Sequence, residues 1–158
     1  MISMATDKPK FLVAHMLRSE RIGTELPGGK DMPLHTALIP PVPCEYDPKL
    51  GLEQITSQHD PLWLVMGERA MFGANHDIEA KVVRMDKRVH RLRSAMIERI
   101  EFITGLDVDN NEGYSPHILT YGKRVPHKYD LMDSLTVLEG KDNKDWIVRE
   151  NLGFKRPY

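Results

Sequence analysis

One segment of this chain constrains its fold more than any other. Across residues 87–103 the apolar side chains Val89, Leu92, Met96, Ile100 and Ile103 recur at steps of 3, 4, 4 and 3, which lines one side of an α-helix. Arg88, Arg91, Glu98 and Arg99 fall off that stripe, and Gly105 supplies the stop. A helix with one apolar side must bury it, and the rest of the chain offers short apolar runs as the covering surface. Residues 11–16, 34–39, 61–67, 77–85, 114–121, 131–138 and 146–150 have the length and composition of strands, bounded by Gly, Pro and polar turns. Pro40, Pro41 and Pro43 are expected to end the second of these, because proline lacks the donor that a ladder needs. Residues 61–67 and 77–85 read as a hairpin with a long loop.

From Asp47, an N-cap followed by Pro48, to about Gln58 a shorter helix is expected to turn Leu50, Leu52 and Ile55 inward, with Gly51 weakening it. Residues 18–33 and 122–130 read as connections. Mixed, largely hairpin-connected strands with two helices predict an α+β domain whose helices cover one side of the sheet. Residues 1–10 are read as a polar lead-in and 11–158 as a single domain.

At 158 residues such a domain buries roughly 68–70% of the surface its unfolded chain exposes and needs no disulfide or metal staple. The mean hydropathy of -0.43, the absence of an apolar run near the ~18 residues of a membrane span, and the absence of a secretory-type start predict a cytoplasmic protein with no membrane partner. Cys44 is the only cysteine, so no internal bridge, zinc ribbon or redox pair is available. With 22 basic and 23 acidic side chains there is no global field for gripping duplex DNA. Locally, Lys81, Arg84, Lys87, Arg88, Arg91, Arg93 and Arg99 outnumber Asp86, Glu98 and Glu101, which fits a solvated helix face or an anion-attracting surface.

Seven histidines are present, but no HExxH, HxH or P-loop pattern accompanies them, so neither a metal nor a cofactor is expected. His35 and His117 differ from the others. Each lies in a short apolar run with proline before it and threonine after it, in Pro33-Leu34-His35-Thr36-Ala37-Leu38-Ile39-Pro40-Pro41 and Ser115-Pro116-His117-Ile118-Leu119-Thr120-Tyr121. An imidazole within a strand costs free energy unless it faces a cleft or finds a partner. Two packed core histidines, or a pair facing one cleft, both satisfy that condition.

These two segments resemble the paired H-x-T/S motifs of the 2H phosphoesterases, the superfamily that includes the 2′-5′ RNA ligase-like proteins. The order of the remaining pieces is similar as well: PLWLVMG, the Phe72-Gly73 pair, DIEAKVVRM, a long helix before the second motif, and SLTVLEG with WIVREN after it. The resemblance spans roughly residues 10–152 and implies a two-lobed fold, with antiparallel sheets around a central cleft and helices outside.

It also implies metal-independent phosphodiester chemistry through His35 and His117, with His117 as base and His35 as acid. Thr36, Thr120, Ser115 and Tyr121 are the candidate hydroxyls, and Lys123 and Arg124 the candidate phosphate contacts. Tyr114, Tyr121 and Trp63 are candidates for stacking a base. The implied substrate is a nucleotide or RNA end: a 2′,3′-cyclic phosphate, a 2′-5′ linkage or a small cyclic oligonucleotide. Two positions depart from the pattern, since Ala37 and Leu119 stand where the family has a hydroxyl. In a regular strand Thr36 and Thr120 point away from the histidines. A β-bulge after His117 is expected to return Thr120 to its side, with no such rescue at Ala37. The alternatives are a nucleotide- or RNA-end-binding domain that has lost turnover, and a structural or interaction protein with packed histidines.

Overall fold

The computed structural model describes residues 9–73, 75–84, 86–108, 114–141 and 144–156. Nine strands of the described residues form two antiparallel sheets. In the first, β2 (Glu25–Leu26), β9 (Trp146–Gly153), β8 (Ser134–Gly140), β1 (Phe11–Met16) and β3 (His35–Val42) lie side by side in that order. In the second the order is β6 (His117–Leu119), β5 (Ile78–Val83), β4 (Leu62–Phe72) and β7 (Tyr129–Met132). β3 lies against β6 where the sheets meet, so each candidate histidine begins an edge strand at that junction. No helix of the described residues is long and apolar enough to cross a membrane.

The long helix α2 (Lys87–Thr104) forms as its stripe predicts. Asp86 caps it by accepting the Arg88 backbone N–H, and Gly105 ends it at φ 73°, a left-handed conformation that glycine adopts without strain. Val89, Leu92, Met96 and Ile100 are buried, in company with Ile97, whereas Ile103 is exposed. They pack against Leu62, Leu64, Met66, Val83 and Ile118 of the second sheet and against Phe11, Val13, Leu38, Leu135 and Val137 of the first. A smaller cluster of Leu12, Ala14, Met16, Leu26, Leu138 and Val148 covers the other face of the first sheet.

Several boundaries depart from expectation: β4 runs past 67 to Phe72, β6 keeps only 3 residues of the run 114–121, β9 extends past 150 to Gly153, and β7 begins at Tyr129, inside the expected connection 122–130. β3 continues through Pro40 and Pro41, because it is an edge strand paired only with β1 and the ladder slips at that point, Ile39 pairing with Val13 and Val42 with Phe11, so both prolines stand in a bulge where a ladder donor is not required. The segment after Asp47 divides at Gly51, φ 66°, into a 3-10 turn (Pro48–Leu50) and the short helix α1 (Leu52–Thr56). The run 131–138 is two strands: β7 belongs to the second sheet and β8 to the first, with Asp133 between them. The connection 18–33 contains β2 and a 3-10 turn (Gly29–Asp31). The turn residues Asp142 and Asn143, and residues 109–113 of the expected polar loop, lie outside the described residues.

Arg93 is the least expected core member. It is buried, and its Nε donates to the Leu38 carbonyl at 2.8 Å while its guanidinium carbon lies 4.1 Å from the Tyr114 ring centre. Replacing Arg93 by Met strands the Leu38 carbonyl, and urea unfolding should show a loss of about 1–3 kcal/mol. A variant as stable as the parent contradicts this role for Arg93.

Candidate active site

The β1/β3 ladder places Met16 opposite His35 and Ala14 opposite Ala37. Directly paired residues share a face, so His35 and Ala37 stand on the side of the first sheet that carries the smaller apolar cluster. In the second sheet Val82 faces His117 and Ala80 faces Leu119, with no shift of register. The two histidines are held in the same way. His35 Nδ1 donates to the Pro33 carbonyl at 2.8 Å and His117 Nδ1 to the Ser115 carbonyl at 2.8 Å. Each bond fixes its imidazole as the Nδ1–H tautomer and leaves Nε2 with a lone pair. Both rings are half-buried. Phe72 stacks on His117, ring centres 4.1 Å apart and planes 10° from parallel, which holds that ring in one orientation.

Burial pushes the His35 pKa down, the bond to the Pro33 carbonyl opposes that shift, and the charge of His117 adds to it. Where a neutral and a charged imidazole reach one group, one takes a proton and the other gives one.

Comparison with known proteins bears on this geometry. No family model matches the sequence, and no curated protein matches it. Solved structures do match. TT0787 of Thermus thermophilus superposes with a TM-score of 0.64 at 13% identity, covering 94% of this chain and 100% of that one. A protein described as a phosphoesterase gives 0.62 at 11%, covering 93% and 99%. Escherichia coli LigT, of the 2′-5′ RNA ligase family, gives 0.59 at 11% in its apo form, covering 95% and 100%. LigT has also been solved with NADP+, 3′-AMP, phosphate and ATP. The chain has the 2H phosphoesterase fold.

Within this 2H fold the remaining candidates divide. Thr120 is a correction to the expected bulge: it is buried, its backbone N–H donates to the Glu79 carbonyl, and its hydroxyl lies 3.1 Å from that oxygen and 3.2 Å from Glu79 Oε1. The strand alternates regularly to Leu119, so Thr120 lies on the Ile118 side, away from His117. Thr36 is likewise buried, on the face opposite His35 and paired with His15. Ser115 serves His117 through its carbonyl rather than its hydroxyl. Tyr121, at φ 48°, has left the strand and is exposed. Lys123 Nζ reaches the Met32 carbonyl at 3.5 Å, and Lys123 and Arg124 line a small cavity with Arg69, Lys81, Glu79 and Thr120.

Tyr114 is not free to stack on a base, because its hydroxyl donates to the Ala37 carbonyl at 2.7 Å and Arg93 covers its ring. Trp63 keeps the opposite status: it is 60% exposed.

The sequence pattern that singles out His35 and His117 passes over His15. This residue sits in an apolar strand, as they do, without their prolines and threonines, and it is buried with Nε2 2.5 Å from Asp130 Oδ2. The strand context is a usable signal, but the partner is 115 residues distant.

The depressed His35 and the relocated Thr120 each lead to a measurable outcome. In an NMR titration His35 should have its midpoint below the ordinary ~6.5 of a histidine, and His117→Ala should raise it by removing a like charge. A midpoint at or above the ordinary value, or one indifferent to His117, contradicts the shared site. Thr120→Val should cost about 1 kcal/mol of stability while leaving phosphate affinity unchanged, measured by unfolding and by phosphate titration.

Proposed function

We propose that this protein is a metal-independent phosphodiesterase acting on a nucleotide or RNA end through His35 and His117. The observation that carries the reading is the matched pair of imidazoles on the two edge strands, each fixed at Nδ1 by the carbonyl two residues earlier and each with Nε2 left for chemistry. The substrate class is a 2′,3′-cyclic phosphate, a 2′-5′ linkage or a small cyclic oligonucleotide. The nucleotides bound to LigT support a nucleotide as ligand.

In hydrolysis of a cyclic phosphate, one Nε2 takes a proton from water as its oxygen bonds to phosphorus. The other Nε2–H gives its proton to the ribose oxygen as the phosphorus–oxygen bond breaks. The depressed pKa of His35 keeps that ring neutral near neutral pH, which suits the base, and leaves His117 as the acid. That order reverses the one expected from the sequence. The product is a phosphomonoester, and the pair is left with its proton on the former base, so that proton must pass back through solvent before the next turnover. Charge on the non-bridging oxygens falls to Lys123, since Ala37 and Leu119 supply no hydroxyl beside either histidine.

That double departure favours a second reading, a nucleotide-binding domain without turnover. The two separate in one assay. With 2′,3′-cyclic nucleotides, 2′-5′ dinucleotides and cyclic dinucleotides as substrates, the parent protein should turn over at least one in EDTA, with a bell-shaped pH profile. His35→Ala and His117→Ala should each lose at least ~10²-fold. Binding without turnover supports the second reading, and turnover that survives both replacements contradicts the first.

A further inference from the structure

A cavity of about 580 Å³ opens beside the histidine pair, and neither His35 nor His117 lines it. Its walls are nevertheless the faces that carry them. On the first sheet the cavity is lined by Met16, which pairs with His35, and by Thr136, which pairs with Ala14, itself the partner of Ala37. Direct partners share a face. On the second sheet Val82 pairs with His117 and Val83 with Met66, so His117 lies on the side opposite Met66. Alternation along β4 puts Trp63 and Val65 on the His117 side, and the β4/β7 ladder adds their partners Leu131 and Tyr129. Trp63, Tyr129 and Leu131 all line the cavity.

Trp63, Tyr129 and Leu131 are 60%, 52% and 38% exposed, whereas Leu62, Leu64, Met66 and Met132 on the other face are buried. A single exposed apolar side chain is ordinary, but three together on one sheet face mark a binding surface, and the volume of the cavity lies in the range of small-molecule sites. Asp130 pairs with Leu64 and so points to the other face, where His15 Nε2 lies 2.5 Å from its Oδ2. That carboxylate is turned away from the rings. Lys128 Nζ stands 5.8 Å from the Tyr129 ring centre. With Lys128 balanced by Asp133 at the wall, the cavity offers aromatic surface more than positive charge. Gly67 lies beside Val82, the partner of His117, where an added β-carbon would come 3.7 Å from the Val82 β-carbon. Trp63 stands four residues, about 13 Å, farther along β4, so the rings are displaced along the sheet from the imidazoles.

An exposed aromatic ring stacks on any base, because every base has a flat face. The reacting phosphate belongs at the imidazoles, outside the cavity, so a base held on the displaced rings comes from a further nucleotide of the same strand. We propose that Trp63 and Tyr129 form a stacking platform for a base beyond the reacting nucleotide, and that the ligand is a single strand of RNA with its end at the histidines. Binding at the platform carries no base preference, since no polar group on that face reads a base edge. The inference rests on the phosphodiesterase reading of the cleft. It narrows the substrate to a linear strand, because a cyclic mononucleotide has no second base to place.

The test is calorimetric titration of the full chain carrying His35→Ala and His117→Ala, so that no turnover intervenes, with a tetraadenylate RNA and with adenosine 3′-monophosphate. The tetranucleotide should bind at least about tenfold more tightly than the mononucleotide and should quench tryptophan emission. Adding Trp63→Ala, at a site exposed enough to spare the fold, should cost the tetranucleotide at least about fivefold, whereas Trp63→Phe, which keeps a ring, should retain most of the affinity. Equal affinity for the two ligands, or a length advantage indifferent to Trp63→Ala, overturns the proposal. A dimer in sedimentation that Trp63→Ala dissociates, with no response to RNA, assigns the face to a second copy of this chain and overturns it too. Length-dependent binding through Trp63 in a protein whose parent form cleaves nothing leaves the platform standing and removes the phosphodiesterase. Turnover of cyclic-phosphate RNA ends that is indifferent to length and to Trp63 does the reverse.

Discussion

The position of the first histidine depends on how the open edge of β3 is closed. Two successive carbonyls of that strand, Ala37 and Leu38, are taken by the Tyr114 hydroxyl and the Arg93 guanidinium, and Arg93 lies over the Tyr114 ring. One side chain comes from α2 and the other from the residues just before β6. The strand that begins at His35 is therefore fastened both to the long helix and to the segment that delivers His117. A buried guanidinium is costly unless paired, and here it is used where strand pairing ends. Burial pushes the Tyr114 phenol up to about 12, against the opposing pull of the Arg93 cation, so the hydroxyl remains a donor throughout the physiological range.

This arrangement explains why the two motifs are alike in geometry and different in surroundings. Both histidines donate Nδ1–H to the carbonyl two residues back, a local bond that follows from the short strand and the preceding turn. The context of each ring is tertiary. His35 sits beside Met16 of β1, whereas His117 is stacked under Phe72 from the far end of β4. Burial and the neighbouring charge act on His35 together.

Much of this is legible in the sequence where the signal is local and periodic. The stripe of α2, the Gly105 stop, the strand Phe11–Met16 and the placing of His35 and His117 on short strands all come from residues within a turn or two of one another, whereas the Asp86 cap is a finding of the structure. Long-range features are not. Nothing near Pro40 shows that its strand is an edge with a bulge at that point, and those two features together are what tolerate the prolines. Nothing in 131–138 shows that Asp133 passes the chain from one sheet to the other. The expectation of Thr120 beside His117 rests on the need of its hydroxyl for a partner. Glu79, 41 residues away, supplies that partner on the opposite side. The helix face read as solvated charge also hides Arg93, whose off-stripe position resembles that of its exposed neighbour Arg91 until the Leu38 carbonyl is seen.

The central claim is that two imidazoles, fixed alike at Nδ1, meet one phosphoryl group through Nε2. Long-range ¹⁵N NMR of the histidine side chains during a titration with inorganic phosphate measures this directly. In the free protein near neutral pH the neutral form of both His35 and His117 should be the Nδ1–H tautomer, and both Nε2 resonances should move along one binding curve. If either neutral ring is the Nε2–H tautomer, or if only one of the two responds to phosphate, the histidines do not form a common site.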